Sequence, residues 1–357
     1  MKITVNKSEL SAALKLVGKT CSPAGNIPVL SNIRIIASVD FVNLGSTNLD
    51  QQTTTGIDAD VEEDGEVLVP FRRFNSIIAN LDGETVEIQS EGSETQISSG
   101  RFTASVQGVD IAEWPECANK DDSLEYRIDA VTLSRAITSS IGCASTDETR
   151  YILNGVLIEV TNGIASVVAT DGRQLAVSSM DVDRWHDFGA VIPTLAADAI
   201  TDICKGNETA TVAISSERLS VRTKTGEIWS KLIAGKFPDW RQVMPNESAM
   251  RTFPAPHKKL LGILRRVGLI ADPRIGCVRL DGSADGITVS ASNAGESASE
   301  KLDCESPEFG VSVNHDFLAK MLATIDGESV DIKVGENESP VLIESDGLKY
   351  IIMPMRK

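Results

Sequence analysis

His186, His257 and His315 are the side chains best suited to proton transfer or metal ligation, and they stand far apart with no H-x-x-x-H or H-E-x-x-H spacing. Nucleophile and phosphate motifs are missing too: no G-x-S-x-G, Walker P-loop or G-x-G-x-x-G occurs. Cysteines at 21, 117, 143, 204, 277 and 304 form no C-x-x-C pair. Zinc and disulfide frameworks need patterned cysteines, so buried thiols in a reducing compartment are expected. Carboxylates are plentiful, but no pair stands out. The expected chemistry is binding, with no metal and no cofactor. An enzyme built on dispersed carboxylates is the alternative, and it would lose activity on a single Asp or Glu change.

Binding chemistry is concentrated on six predicted helices, at 7–19, 71–81, 129–142, 194–205, 257–269 and 314–325. They carry Lys7, Lys15, Lys19, Arg72, Arg73, Arg135, Lys205, Lys258, Lys259, Arg265, Arg266 and Lys320 against Glu9, Asp129, Asp198, Asp202 and Asp316. The helices therefore sum to +7 in a chain of net charge −17, which leaves −24 on the rest. Ordinary solvated helix faces would share the acidic bias of the chain. Lys258 with Arg265, and Lys259 with Arg266, align opposite a leucine stripe. Such faces suit a polyanion held by its phosphates, without sequence readout, while acidic sheets face outward. No recognition-helix motif, zinc finger or series of stacking aromatics is present.

These helices must be positioned by something that recurs. Ala169-Thr170-Asp171-Gly172-Arg173-Gln174-Leu175-Ala176 reads as strand, turn, strand, with a short polar side chain bonding its own backbone and a glycine free to take positive φ. Ser46-Thr47-Asn48-Leu49-Asp50-Gln51 and Ala291-Ser292-Asn293-Ala294-Gly295-Glu296 repeat the bend. Thr47, Thr170 and Ser292 lie 123 and 122 residues apart, and Asp82, Lys205 and Asp326 lie 123 and 121 apart at three helix stops. Each repeat reads strand, helix, strands, helix, strands. Asn6 with Glu9, and Asp129, are predicted caps, and Pro70 opens the second helix. Predicted buried stripes are Leu10, Ala13, Leu14 and Val17; Phe74, Ile77, Ile78 and Leu81; Leu133, Ala136 and Ile137; Leu195, Ile200 and Ile203; Leu260, Leu261, Leu264 and Leu269; and Phe317, Leu318, Met321, Leu322 and Ile325. Gly83 is expected to cap the second helix. Gly262 weakens the fifth helix by about 1 kcal/mol relative to Ala. Polar stretches Glu116–Ser123 and Gln242–Pro256 read as linkers. The 357 residues therefore divide into α+β domains at 1–120, 121–245 and 246–357, each with two helices packed on antiparallel sheets. The chain opens on an alternating strand, Met1-Lys2-Ile3-Thr4-Val5, with no apolar leader or membrane-length run, so a soluble cytoplasmic protein is expected.

Arg150-Tyr151-Ile152-Leu153-Asn154-Gly155, Ala169–Ala176, Ser230-Lys231-Leu232, Gly235-Lys236-Phe237-Pro238-Asp239-Trp240 and Met353-Pro354-Met355-Arg356 occur in that order. Together they resemble the bacterial DNA polymerase III β subunit family, the sliding clamps, over the whole chain. The resemblance implies a head-to-tail homodimer whose six clamp domains close into a ring, with helices lining a hole around duplex DNA. Its function would be processivity in DNA replication, tethering the polymerase without catalysis or exonuclease activity of its own. It also implies a pocket between the second and third domains that takes linear peptides from polymerase, clamp loader and repair proteins. Carried over by motif, that pocket involves Ile152, Leu153, Thr170, Gly172, Arg173, Gln174, Leu175, Pro238, Gln242, Val243, Ile352, Met353, Pro354 and Met355. Arg150 and Tyr151 join the DNA-facing set. Phe102, Ala104 and Val106 of an edge strand, with Leu269 and Ile270, are the dimer-interface candidates. Arg173-Gln174 replaces the family's usual His-Arg, Gln242 a commonly basic residue and Ile152 a commonly aromatic one, and Lys357 ends the chain instead of an apolar residue. The competing class is a repeat-built protein-binding scaffold that does not encircle DNA.

Overall fold

A computed structural model describes residues 1–22, 27–115, 123–336 and 339–355. The expected linker up to residue 122, Cys117, Arg356 and Lys357 lie outside the described residues. Six α-helices form among those described: α1 Lys7–Val17, α2 Phe71–Ala79, α3 Ala130–Ile141, α4 Thr194–Cys204, α5 His257–Val267 and α6 His315–Leu322. Asn6 Oδ1 caps α1 by accepting from the amides of Ser8 at 2.8 Å and Glu9 at 3.3 Å. Asp129 accepts from the Thr132 amide at 2.7 Å at the head of α3, and the Thr132 hydroxyl bonded to it holds its carboxyl below the usual range. Asn314 caps α6 in the same way. Pro70 and Pro256 precede α2 and α5, where a fixed φ stands in for a side-chain cap.

Four local expectations fail. Leu195 and Leu269 are exposed, at 41% and 82%, and Leu261, like Ile77 and Phe317, is only half-buried. In α5 the core stripe runs through Leu260, Ile263, Leu264 and Val267. Gly83 is no left-handed cap: α2 ends earlier, at Asn80, and a Cβ on Gly83 would fall 2.3 Å from Ser99 Oγ. The supposed linker after Gln242 holds a strand, Arg251–Ala255, paired with Val330–Val334.

The chain forms two compact units, Met1–Ser134 with Leu195–Leu232, and Arg135–Thr194 with Ile233–Lys357. In the first, a twelve-stranded sheet runs from edge strand Phe102–Gln107 through Glu94–Ser99, Thr85–Glu91, Lys2–Asn6 and Gln51–Glu63. It continues through Gly226–Lys231, Arg218–Arg222 and Thr209–Ile214 to Leu124–Asp129. Gln51 to Thr55 pair with Ser230 to Gly226, joining strands of the first and middle repeats. Leu10, Leu14 and Val17 of α1 meet Phe74 and Ile78 of α2 in a core closed by Ile33, Leu44, Val67 and Ile88.

The second unit holds an eight-stranded sheet in which Gln174 to Ser178 pair with Ile352 to Leu348. Its four-stranded sheet runs Glu296–Leu302, Gly286–Asn293, Cys277–Ser283, Phe309–Asn314, leaving Glu296–Leu302 as an edge. The two junctions have equivalent register, since Gln51 and Gln174 each stand four residues after the bend's threonine.

Candidate functional site

The middle bend is wired by its own side chains. Thr170 Oγ1 donates to the Gln174 carbonyl at 2.6 Å and accepts from the Gly172 amide at 3.0 Å. Asp171 Oδ1 accepts from the amides of Arg173 at 2.8 Å and Gln174 at 3.0 Å. Gly172 takes φ +85°, which the turn demands and glycine supplies without strain. Arg150 Nη1 donates to the Asp171 carbonyl at 3.1 Å. Beyond the paired strands, the Met353 amide donates to the Arg173 carbonyl at 2.9 Å, so the end of the chain is laid against the bend.

Beside the bend lies an apolar cluster. Leu157, Val168, Leu175, Val177, Val191, Phe237, Leu342 and Ile351 are its buried members, and Ile152, Leu153, Trp240, Met244 and Met250 lean on them half-buried. Gly235 at φ +130° brings its backbone close to Ile152 and Tyr151. Val243, next to Met244, is 52% exposed, and Met353, just after Ile351-Ile352, is 43% exposed, so both segments bordering the cluster present an apolar side chain to solvent. A brace holds its rim: Glu159 Oε2 accepts from Arg241 Nη2 at 2.8 Å and from Trp240 Nε1 at 3.4 Å. Apolar walls beside backbone amides and carbonyls suit a short extended peptide.

Family models of the DNA polymerase III beta subunit match the chain in series: its N-terminal domain at residues 1–118, its central domain at 127–239 and its C-terminal domain at 241–356. The chain belongs to the DNA polymerase III beta subunit family. The beta sliding clamps of Salmonella typhimurium and Escherichia coli are 27% and 26% identical to it, over all of both chains. That of Chlamydia pneumoniae is 26% identical over all of this chain and 99% of its own. A sliding clamp of Pseudomonas aeruginosa, solved bound to griselimycin, superposes with TM-score 0.91 at 24% identity over both full chains. A Bacillus subtilis clamp does so at 0.88 and 25%, over all of this chain and 99% of that one. The chain is thus a sliding clamp of three tandem α+β domains, from a family of replication processivity factors and not of enzymes.

In this beta-subunit chain the residues carried over by motif come together in the second unit, but not all as walls. Leu175 and Ile352 are 2% and 0% exposed, so they form the floor and core. Gln174 is also buried, its amide nitrogen on Asp171 Oδ2 at 3.0 Å and its oxygen accepting from Cys143 Sγ at 3.7 Å, so it stiffens the bend from within. Ile152, Leu153, Thr170, Gly172, Arg173, Pro238, Gln242, Val243, Met353, Pro354 and Met355 keep solvent access. Phe237 and Trp240 belong to the quoted motif but were left out of the carried-over pocket, and Met244 and Met250 lay outside every motif. Their signal was apolar residues inside a polar stretch.

The basic helix residues divide. Lys15, Arg72, Arg73, Lys258, Lys259, Arg265 and Lys320 are exposed and make no ion pair with another described residue. Lys7 is half-buried and donates to the Leu81 carbonyl. Lys19 is not a free cation, because Asp198 and Asp202 of α4 both hold it, and burial, which opposes the shift, is outweighed in raising its pKa. Arg135 lies near Asp346 at 3.3 Å, Arg150 near Asp147 at 3.7 Å, Lys205 on Asp202, and Arg266 is bidentate on Glu300 at 2.6 and 2.9 Å. Tyr151 is 60% exposed.

Of the interface candidates, Phe102 is exposed on an edge strand, Ala104 and Ile270 are half-buried, and Leu269 is the most open large apolar side chain among those described. Val106 is buried in the first core and can offer only its backbone. Of the described cysteines Cys143 and Cys204 are buried as expected, whereas Cys21, Cys277 and Cys304 are only half-buried; burial pushes Cys21 and Cys204 up to about 12 and Cys143 further still. Among the described residues no group of His, Cys, Asp and Glu could hold a metal, and no helix is long and apolar enough to cross a membrane.

Proposed function

We propose that two copies of this chain close head to tail into a ring that encircles duplex DNA in the cytoplasm and tethers the replicative polymerase. The observation that carries this reading is a junction left open. Within one chain, Gln51–Thr55 pairs with Gly226–Ser230 and Gln174–Ser178 with Leu348–Ile352. The strands equivalent to these in the third and first repeats, Glu296–Glu300 and Phe102–Val106, each lie at a sheet edge, one at each end of the repeat series. Keeping the register of the other two sets Glu296 opposite Val106 of the partner subunit, Ala298 opposite Ala104 of the partner subunit, and Glu300 opposite Phe102 of the partner subunit. A heterologous contact made twice closes the ring.

The helices support the same closure. Leu269 follows Val267-Gly268 as Lys19 follows Val17-Gly18, and Lys19 reaches α4 of the next repeat. Leu269 would reach α2 of the partner subunit in the same way, where Ala79 takes the place of Asp202. Covering Leu269 and Phe102 would contribute about 1.5–3 kcal/mol each.

Domain limits at 1–120, 121–245 and 246–357 fit this scheme, and the unpaired cations Arg72, Arg73, Lys258, Lys259, Arg265 and Lys320 would contact phosphates without reading sequence. Linear peptides of the polymerase, clamp loader and repair proteins would dock on Leu153, Val243 and Met353 beside the middle bend. The test is retention on nicked circular DNA, with loss after linearisation. Background retention on every form of DNA, with peptide binding intact, would favour the scaffold reading.

A further inference from the structure

The sheet face that carries the apolar cluster has a polar border. Leu175, Val177, Leu342 and Ile351 lie on the same face as Lys333, Glu344 and Lys349, since Leu342 stands opposite Ile351, Val177 opposite Lys349 and Glu344 opposite Lys349. Chain 237–250 crosses this face. Phe237, Trp240, Met244 and Met250 cover the apolar part. Glu247, midway between the two methionines, lands on the polar part: Oε2 accepts from Lys333 Nζ at 2.6 Å and Oε1 from Lys349 Nζ at 2.5 Å. Glu344 accepts from the same two ammonium groups, Lys349 at 2.7 Å, so the four charges close into a ring. Lys333 keeps 14% of its side-chain exposure and Glu344 21%, which limits screening. Gln242 and Val243 face solvent on the crossing chain between the Glu159 brace, made by Trp240 and Arg241, and this ring, and Pro238 is exposed just ahead of the brace.

We propose that Glu247 is a positioning residue for peptide docking: the four-charge ring fixes the height of the 237–250 crossing over the sheet, and so where Val243 and Gln242 meet a ligand that never touches the ring. This rests on the peptide-docking reading above. Net neutrality of the ring makes it a geometric device and not a source of attraction for charged ligands. Two carboxylates and two ammonium groups hold four chain segments at one spacing, which apolar methionines, with their adaptable rotamers, do not.

The experiment uses the full-length chain and, as probe, the tightest binder from a fluorescein-labelled library of uncharged apolar pentapeptides, selected on the unmodified protein. Val243→Glu is expected to weaken the probe at least tenfold, which checks the docking reading. Glu247→Gln is expected to weaken it about five- to tenfold with oligomeric state unchanged, and Glu344→Gln to do so in the same direction. Raising salt from about 0.05 to about 0.5 M should weaken the probe on the unmodified protein and leave Glu247→Gln flat, a readout that a merely structural loss would not give. Loss with Val243→Glu but unchanged affinity with Glu247→Gln overturns the positioning role alone. A library with no binder weakened by Val243→Glu overturns the docking reading and this role with it.

Discussion

The bends at Thr47–Gln51 and Thr170–Gln174 are wired alike and used differently. In the first, Thr47 Oγ1 donates to the Gln51 carbonyl at 2.8 Å and accepts from the Leu49 amide at 3.0 Å, while Asn48 Oδ1 accepts from the amides of Asp50 and Gln51. Thr170 and Asp171 do the same in the second. Even the next backbone bond recurs, from the Lys231 amide to Asp50 at 2.8 Å and from the Met353 amide to Arg173 at 2.9 Å. The side chains then part company. Lys231 and Asp50 close the first bend with an ion pair at 2.7 Å. At the second, Met353 takes the place of Lys231 and is 43% exposed, and Arg150 Nη1 holds the Asp171 carbonyl of the bend. One scaffold therefore gives a sealed joint in one place and an apolar site in the other. Among the described residues, no strand pairs beyond the third copy, Ser292–Glu296, as Gly226–Lys231 and Leu348–Ile352 do beyond the other two.

Breaking the open copy should have the largest effect. Leu269→Asp, which puts a charge at the proposed contact with the partner subunit, is expected to weaken dimerisation by about two orders of magnitude. Light scattering over a dilution series checks it, and an unchanged dimer would remove α5 from the interface.

The two closed copies are separated by a matched pair at the next scale. Val243→Glu should weaken peptide binding at least tenfold, whereas Lys231→Ala at the sealed joint should leave it unchanged, as read by fluorescence anisotropy. Equal losses would mean that the bend and not its surroundings makes the site.

Backbone strain sharpens the comparison further. Gly172→Ala at φ +85° is expected to cost about 1 kcal/mol, a melting shift of about 2–4 °C. Leu49 already holds φ +77° at the equivalent position. Leu49→Gly should therefore stay within about 0.5 kcal/mol of neutral, as relieved strain offsets added chain entropy.

A further small effect is electrostatic. The bonds from Lys333 and Lys349 hold Glu247 below the usual carboxylate range, and the same lysines outweigh burial to do so for Glu344. Depressed carboxyls add stability above their unfolded pKa and lose it as pH falls through the folded value. Glu247→Gln should thus melt lower than the unmodified protein at pH 7, by less than about 1 kcal/mol, with the gap closing below about pH 4.

How much of this could be read from residues alone follows from how local each cause is. Helix starts were legible where Asn6, Asp129 and Pro70 act within one turn, and Asn314, which caps α6 in the same way, went unread. The threefold order was legible because the bend's threonine or serine and the helix stops recur. Leu195 and Leu269 misled because helical periodicity alone cannot tell a buried face from an exposed apolar one. Gly83 misled because its cause is Ser99, sixteen residues on, and not the helix it follows. Gln174, Leu175 and Ile352 have the right positions for a site, yet pairing across the second junction buries them beneath it. Met244, Met250 and Glu247 sat in a polar stretch whose sheet contacts only tertiary structure reveals.

The central claim is that the third junction is completed by a second copy in the register of the other two. At the equivalent positions of the closed junctions, Thr53 with Ile228 and Ala176 with Tyr350 are all buried, whereas Ala104 and Ala298 remain half-buried. Oxidation of the double variant Ala104→Cys with Ala298→Cys tests it most directly. The predicted result is a dimer closed covalently at both interfaces, with no comparable cross-link when Ala104→Cys is combined with Ser299→Cys, whose side chain points to the other face. No covalent dimer, or one formed equally well by the mismatched pair, would contradict it.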